Sequence, residues 1–293
     1  MVQMTEHAVV RVTDLDAAVE FYTEQLGLIE IDRNDDTVYL GCGLDDRFDL
    51  GVTEGGTGLD HVAIRITDDQ FDEFERRFEE DGVDYEYTGD EEPGDRRGLT
   101  VTSPTGIDYE LLVVDVERYL QVNDTGLPER SAFTPTDFDH VNLCSNDVES
   151  DVEFVKDVLD FDVSEIQRDP DEGHYELVFT RFGDYHHDVA FTITDTPDYN
   201  LHHISFTFPS VDHMKTMIDE LARNDVEMES AMSRHRAGNN IFAYFWTPTG
   251  NRIELSTEMT ALPPETDTVH REETFTFTSW GGITPPESFS EGS

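Results

Sequence analysis

The chain has 293 residues, and its 66 acidic side chains against 19 basic ones give a formal net charge of −47 at pH 7. Lys156 and Lys215 are its only lysines. A surface this acidic repels phosphate backbones and anionic lipids, so it excludes nucleic acid and membrane surfaces as partners. Repulsion among the acids is screened at about 1 M ionic strength, where the Debye length is roughly 3 Å. The composition therefore predicts a protein from a halophilic cytosol.

Cysteine content and hydropathy indicate a reducing, aqueous compartment. Cys42 and Cys144 lie far apart and form no CxxC pair, so neither a disulfide framework nor a zinc motif is indicated. The sequence has no apolar segment of the signal-peptide type and no long apolar run. We expect a soluble cytoplasmic protein, and its length predicts about two domains.

The first part of the chain contains two similar units. Residues 7 to 12 predict a strand, a helix capped by Asp14 follows, and three short strands complete the unit. A second unit of this kind begins at Leu59. Its closing turn at residues 103 to 106 has the same chemistry as a turn at residues 247 to 250, near the other end of the chain. This similarity indicates an internal repeat.

The periodic pattern is lost over a stretch rich in proline, glycine and polar residues, which marks a linker. Two further units of the same kind follow it. We therefore predict a non-catalytic N-terminal domain over residues 1–115, a linker over 116–136, a catalytic C-terminal domain over 137–257 and a tail over 258–293.

Strand alternation places three potential metal ligands on polar faces. His140 and His203 each lie on the polar side of a strand whose alternate residues are apolar, and Glu254 lies between two core residues. The same alternation assigns His202 to the apolar side. Two histidines and one carboxylate on separate strands provide the ligands of a facial Fe(II) site, with positions left for substrate and oxygen.

The stretch from residue 235 to residue 255 resembles the signature of the type I extradiol (catechol 2,3-) dioxygenases of the vicinal oxygen chelate superfamily. That signature has a histidine, an apolar-tyrosine pair, a Pro-x-Gly turn and a glutamate. Two positions depart from it, where this chain has an alanine and a threonine at packing and turn positions. The matching residues are His235, Tyr244, Pro248, Gly250 and Glu254, and the departures are Ala243 and Thr247.

The resemblance implies a fold and a reaction. The fold is α+β, with four βαβββ modules paired into two domains that have curled mixed sheets. The reaction is Fe(II)-dependent extradiol cleavage of a catechol by O2 to a ring-opened hydroxymuconate semialdehyde, with Mn(II) as the alternative metal. A homo-oligomer is also expected. In this assignment His140, His203 and Glu254 hold the metal, His187 transfers protons, and His235 and Tyr244 hold the substrate oxygens.

The N-terminal part of the chain keeps His7, His61 and Glu110 at the corresponding positions. Alternation places Arg11 on the face of His7 and Arg65 on the face of His61. Guanidinium groups stay protonated and would repel a cation. We interpret this set as a relic site in which arginine and Glu110 pairs replace the metal.

Two other functions are compatible with the same fold. A glyoxalase-type metal-dependent lyase, isomerase or resistance protein would bind a divalent metal without the catalytic set of His187, His235 and Tyr244. A non-catalytic binding protein would keep the fold and lack turnover.

Overall fold

The computed structural model describes residues 4–89, 91–115, 130–196, 198–273 and 276–293. The first half contains β1 (Met4–Val12), α1 (Leu15–Glu24), β2 (Ile29–Arg33), β3 (Thr37–Gly41), β4 (Leu50–Glu54), β5 (Leu59–Arg65), α2 (Asp68–Asp81), β6 (Glu86–Thr88), β7 (Asp95–Thr102) and β8 (Asp108–Val114). The second half contains β9 (Asp137–Ser145), α3 (Val148–Asp157), β10 (Asp162–Arg168), β11 (Tyr175–Arg181), β12 (Val189–Ile193), β13 (Leu201–Thr207), α4 (Val211–Arg223), β14 (Met228–Arg234), β15 (Ile241–Trp246) and β16 (Arg252–Thr257). Strand β17 (Val269–Arg271) and a 3-10 helix (Glu287–Ser290) follow.

The helices begin and end at residues that satisfy their free backbone groups. Asp14 caps α1 by accepting a hydrogen bond from the amide of Ala17. Thr67 and Gln70 form a reciprocal capping box at the start of α2. The same helix ends at Gly82, whose φ of 72° lies in the left-handed region that glycine adopts without strain.

The strands form two mixed sheets, and each module repeats the same strand-pairing pattern. Within each module the first strand pairs in parallel with the last, as β1 does with β4, β5 with β8, β9 with β12 and β13 with β16. The first strands of neighbouring modules, β1 with β5 and β9 with β13, pair antiparallel. The resulting orders are β2-β3-β4-β1-β5-β8-β7-β6 and β14-β15-β16-β13-β9-β12-β11-β10-β17. The predicted α+β fold of four βαβββ modules is confirmed, and both sheets are open.

This topology places the same side chains at the same positions in the two halves. In each half, two histidines lie on the central antiparallel strands and a glutamate lies on the strand next to the second of them. The glutamate is in register with the residue two positions after the second histidine, which is Ala63 in one half and Ser205 in the other. The equivalent pairs are His7 and His140, His61 and His203, and Glu110 and Glu254.

The apolar core lies on the opposite face of these strands. Val141 of β9 and Leu255 of β16 are buried there, together with Phe74 of α2 and Met217 of α4. The helices therefore cover the face that does not carry the histidines. None of the helices in the described ranges is long and apolar enough to cross a membrane.

The tail returns to the second sheet at two points. Strand β17 pairs in parallel with β10 at the sheet edge. At the other end of the tail, the amide of Ser293 donates to the carbonyl of Leu201 on β13 at 2.8 Å. Residues 276–293 therefore pass over the polar face of the sheet. Residues 116–129 of the predicted linker lie outside the described part of the chain.

Candidate metal centre and its cavity

The second sheet brings three predicted ligands together. Nε2 of His140 lies 3.3 Å from Oε2 of Glu254, and Nε2 of His203 lies 3.0 Å from the same oxygen. The two ring nitrogens are 3.3 Å apart. All three side chains are buried, and their donor atoms lie within 4.8 Å of one another. Because they come from β9, β13 and β16, their separation is set by strand pairing.

These side chains fit a divalent metal by their chemistry as well as by their separation. Neutral imidazole and carboxylate are ligands for Fe(II) and Mn(II). Although burial opposes its ionisation, His140 and His203 hold the pKa of Glu254 well below its usual range. Burial lowers the pKa of His203 to about 4. Although burial opposes it, Glu254 and Asp139 raise the pKa of His140 to about 10, so a metal-free centre holds one proton on His140 at neutral pH.

A chain of hydrogen bonds sets the tautomer of His203. Nε2 of His202 lies 2.8 Å from the carbonyl oxygen of Phe289, so this nitrogen carries the proton of a neutral His202. Its Nδ1 is then an acceptor, and it lies 2.7 Å from Nδ1 of His203. The His203 proton is consequently on Nδ1. This leaves the lone pair of Nε2 free on the side of His140 and Glu254, as outer hydrogen bonds commonly arrange for metal-ligating histidines.

Glu254 is oriented by two donors. Oε1 accepts a hydrogen bond from Nδ2 of Asn240 at 2.8 Å, and Oε2 accepts one from the hydroxyl of Tyr244 at 2.7 Å. The Tyr244 hydroxyl also lies 2.9 Å from Nε2 of His235. Since Nδ1 of His235 lies 3.2 Å from the carbonyl of Phe277, a neutral His235 is protonated there. Its Nε2 is then a second acceptor for the single Tyr244 proton.

His187 lies beside the metal centre without belonging to the three-ligand cluster. Its ring centroid is 4.3 Å from that of His140 and 4.9 Å from that of Phe179. Burial, reinforced by His140 and His186, holds the pKa of His187 well below its usual range. The ring is therefore neutral at physiological pH, with one N–H donor and one acceptor nitrogen.

A cavity of about 360 Å³ adjoins the cluster. His187, His235 and Tyr244 line it together with the three predicted ligands. No lysine or arginine is present among its lining residues in the described ranges. The apolar part of the wall consists of Leu177, Phe179, Ile193, Ala237 and Phe277, and the last part of the tail adds Pro285, Pro286, Glu287, Phe289 and Ser290.

The assignment of His202 to the apolar side is wrong. His202 lines the cavity and touches His203, because the pairing of β13 with β9 is irregular between Leu201 and His203. Such a bulge shifts the alternation by one residue. Asn240 was missed as well, although it lies inside the signature stretch, because it precedes β15 and strand alternation says nothing about its direction.

The N-terminal set also comes together, but arginine does not fill it as expected. His7, His61 and Glu110 form a cluster with Glu92, a residue that the sequence reasoning did not identify. Arg11 instead pairs with Asp60 at 3.4 Å. The guanidinium of Arg65 donates to Glu6. Register shifts on β1, between Thr5 and His7 and between Val9 and Val10, disturb the alternation on which the arginine argument relied.

Paired βαβββ modules, two open mixed sheets and a buried cluster of two histidines and a glutamate define the class of protein. Residues 5–111 and 137–255 match the Glyoxalase/Bleomycin resistance protein/Dioxygenase superfamily. The chain belongs to this superfamily, as its sequence predicted.

Individual relatives match most of the chain. A metapyrocatechase from Pseudomonas sp. (strain CF600) is 26% identical over 263 residues, which cover 85% of this chain and 84% of that protein. A manganese-dependent 2,3-dihydroxybiphenyl 1,2-dioxygenase from Geobacillus genomosp. 3 is 24% identical over 266 residues, covering 85% and 83%. Homoprotocatechuate 2,3-dioxygenase from Brevibacterium fuscum, solved with 3,4-dihydroxyphenylacetate, is 25% identical with a TM-score of 0.84 over 99% of this chain and 92% of that one.

Proposed function

We propose that this chain is an extradiol dioxygenase that opens the ring of a catechol with O2 to give a hydroxymuconate semialdehyde. The observation that carries the proposal is one cavity lined by His140, His203 and Glu254 together with His187 and Tyr244. The names of the relatives, which include a metapyrocatechase and two dioxygenases, support the same reaction class. Both atoms of O2 enter the product, so no external reductant is required.

The proposed ligands are His140, His203 and Glu254, for Fe(II) with Mn(II) as the alternative. A bound metal of this kind supplies a Lewis acid that lowers the pKa of the catechol hydroxyls, together with a redox-active centre for O2. His202 orients His203 through the hydrogen bond between their Nδ1 atoms, and Oδ2 of Asp139 lies 3.2 Å from Nδ1 of His140.

The remaining polar residues act on protons and on substrate position. His187 lines the cavity beside His140, where it can exchange a proton with a catechol hydroxyl and with oxygen as the ring opens. The single Tyr244 proton can go to Glu254 or to Nε2 of His235, and the His235 nitrogen can instead accept a hydrogen bond from a catechol hydroxyl. The apolar wall formed by Phe179 and its neighbours fits the face of an aromatic ring.

The charge of the cavity favours an uncharged catechol. Glu176 and Glu287 line it, and its described lining residues include no lysine or arginine. A carboxylate on the substrate would enter this site without a cationic partner and next to two other carboxylates, which repel it. We therefore propose catechol and its alkyl derivatives as the substrate class, rather than acids such as 3,4-dihydroxyphenylacetate.

The glyoxalase-type and binding-protein alternatives are separated from this proposal by one measurement. The purified chain is loaded anaerobically with Fe(II), given catechol and then exposed to air. Ring cleavage consumes about one O2 per catechol and gives a yellow semialdehyde, because both oxygen atoms are incorporated. Glu254→Ala serves as the inactive control. Catechol binding without oxygen uptake would favour a binding protein, and absence of both would favour the glyoxalase type.

A further inference from the structure

The first half of the chain contains a second cluster of donor atoms, remote from the cavity described above. Oε2 of Glu92 lies 2.9 Å from Nε2 of His7 and 3.6 Å from Nε2 of His61. Nε2 of His61 is 3.8 Å from Oε2 of Glu110. One ligand atom from each residue lies within 4.8 Å of all the others. Three of these residues occupy positions equivalent to His140, His203 and Glu254, and Glu92 comes from the β6–β7 connection.

Several donor atoms of this cluster are buried without a hydrogen bond in the described structure. Both ring nitrogens of His7, Nε2 of His61 and Oε2 of Glu92 are in this state, and the side chain of His7 is 0% exposed. The contact of 2.9 Å between His7 and Glu92 does not have the geometry of a hydrogen bond. Buried polar atoms rarely stay unpaired. Buried donor atoms that lie close together without forming hydrogen bonds to one another are arranged to bind a common partner between them.

Two neighbouring groups orient the cluster from outside. Nδ1 of His61 lies 3.2 Å from Oδ2 of Asp60, which places the proton of a neutral His61 on Nδ1 and leaves the lone pair on Nε2. Oε1 of Glu110 accepts a hydrogen bond from the hydroxyl of Thr88, so Oε2 is the oxygen that faces the histidines. A carboxylate behind a histidine is the usual outer partner of a metal-ligating imidazole.

The nearby guanidinium groups are held by other carboxylates. Arg47 donates to Glu6 at 2.6 Å, to Asp95 at 3.2 Å and to the carbonyl of Pro93 at 3.0 Å. Arg65 donates to the second oxygen of Glu6. These contacts direct the positive charges toward Glu6 and Asp95, which are not members of the cluster.

We propose that His7, His61, Glu92 and Glu110 form a second divalent-metal site, which holds the two modules of the first half together. Two imidazoles and two carboxylates suit first-row metals such as Zn²⁺, Mn²⁺ or Fe²⁺. Four protein ligands fill a tetrahedral shell, whereas the catalytic candidate has three and leaves positions open. The site therefore ties β1, β5, β8 and the β6–β7 connection to one ion and does not expose that ion to substrate.

The test counts metal in the full-length chain, with Co²⁺ as the probe. The protein is stripped with a chelator and reloaded in about 1 M KCl, where exposed carboxylates are screened. Bound Co²⁺ is measured by atomic absorption after gel filtration and by its visible absorption. We expect about two equivalents in the unmodified chain and about one in Glu254→Ala, which disables only the catalytic candidate.

Two double variants then show where the Co²⁺ equivalent that remains in Glu254→Ala is bound. Adding Glu92→Gln to Glu254→Ala should remove it, because the four-ligand shell is broken. Adding Glu91→Gln, an exposed neighbour, should leave it in place. No Co²⁺ in Glu254→Ala, or an equivalent that survives Glu92→Gln, would overturn the proposal. If Glu92→Gln prevents folding, the loading of Glu254→Ala alone decides between one equivalent and none.

Discussion

Nδ1 of His203 lies 2.7 Å from Nδ1 of His202, and the other nitrogen of His202 lies 2.8 Å from the carbonyl of Phe289 in the tail. The tail thereby controls which nitrogen of a proposed ligand carries a proton. We expect His202→Leu to weaken metal binding about 10- to 100-fold without abolishing it, the usual effect of losing an outer hydrogen bond. Metal affinity is measured by competition with a chelator.

His174→Leu provides the matched control for this prediction, because the side chain of His174 is 41% exposed and lies outside the cavity lining. It should leave affinity unchanged. An affinity in His202→Leu equal to that of the control would show that the contact between the two histidines does not orient the ligand.

The protonation state of His140, His203 and Glu254 without metal predicts how metal binding depends on pH. Without metal, the cluster carries one titratable proton at any pH between the pKa of His203, about 4, and that of His140, about 10. Binding must displace this proton. The metal concentration that gives half-maximal oxygen uptake should therefore fall about tenfold for each unit that pH rises between about 5 and 9. Titrations with chelator-buffered metal at several pH values test this, and a midpoint independent of pH would contradict it.

The cavity charge predicts a preference among catechols. Catechol and 4-ethylcatechol should be cleaved with similar kcat/KM, because both are uncharged. The value for 3,4-dihydroxyphenylacetate should be about 10- to 100-fold lower, the cost of an unpaired charge beside Glu176 and Glu287. The ethyl compound controls for size. Equal kcat/KM values for the acid and the ethyl compound would show that another part of the chain compensates the substrate charge.

Net charge predicts how the fold responds to salt. With a formal charge of −47, repulsion opposes the compact state at low ionic strength and is screened at high ionic strength. The thermal unfolding midpoint should rise as KCl increases from low concentration to about 1 M and then level off. A midpoint that stays flat over this range would argue against adaptation to a salty cytosol.

Sequence reasoning succeeded where strands are regular. Glu254 occupies a regular position in β16, and His140 precedes the regularly paired Val141 and Asn142 of β9, so alternation with Val141, Ile253 and Leu255 fixes their direction. The repeated turns and capped helices likewise predicted four modules, because each depends on local residues. These features are encoded within a few positions of the chain.

Sequence reasoning failed where the direction of a side chain depends on residues that are distant in sequence. The irregular pairing beside His203 turns His202 toward the cavity, and that pairing involves β9, about 60 residues away in sequence. Glu92 and Asn240 lie in connections without periodicity. Strand alternation places Arg11 on the same face as His7, but in the structure Arg11 pairs with Asp60 on the neighbouring strand. None of these interactions can be read from a single strand.

The proton-transfer role proposed for His187 can be tested separately from the binding of metal by the protein. His187 lies beside His140 but is not part of the three-ligand cluster, so His187→Asn should retain metal and bind catechol almost normally. Turnover should fall by about 10² to 10⁴, the usual contribution of a positioned acid or base. Metal content, anaerobic catechol binding and kcat are compared with those of His174→Asn, a control outside the cavity lining. Loss of metal would make His187 a ligand, whereas unchanged turnover would transfer the proton-handling role to His235.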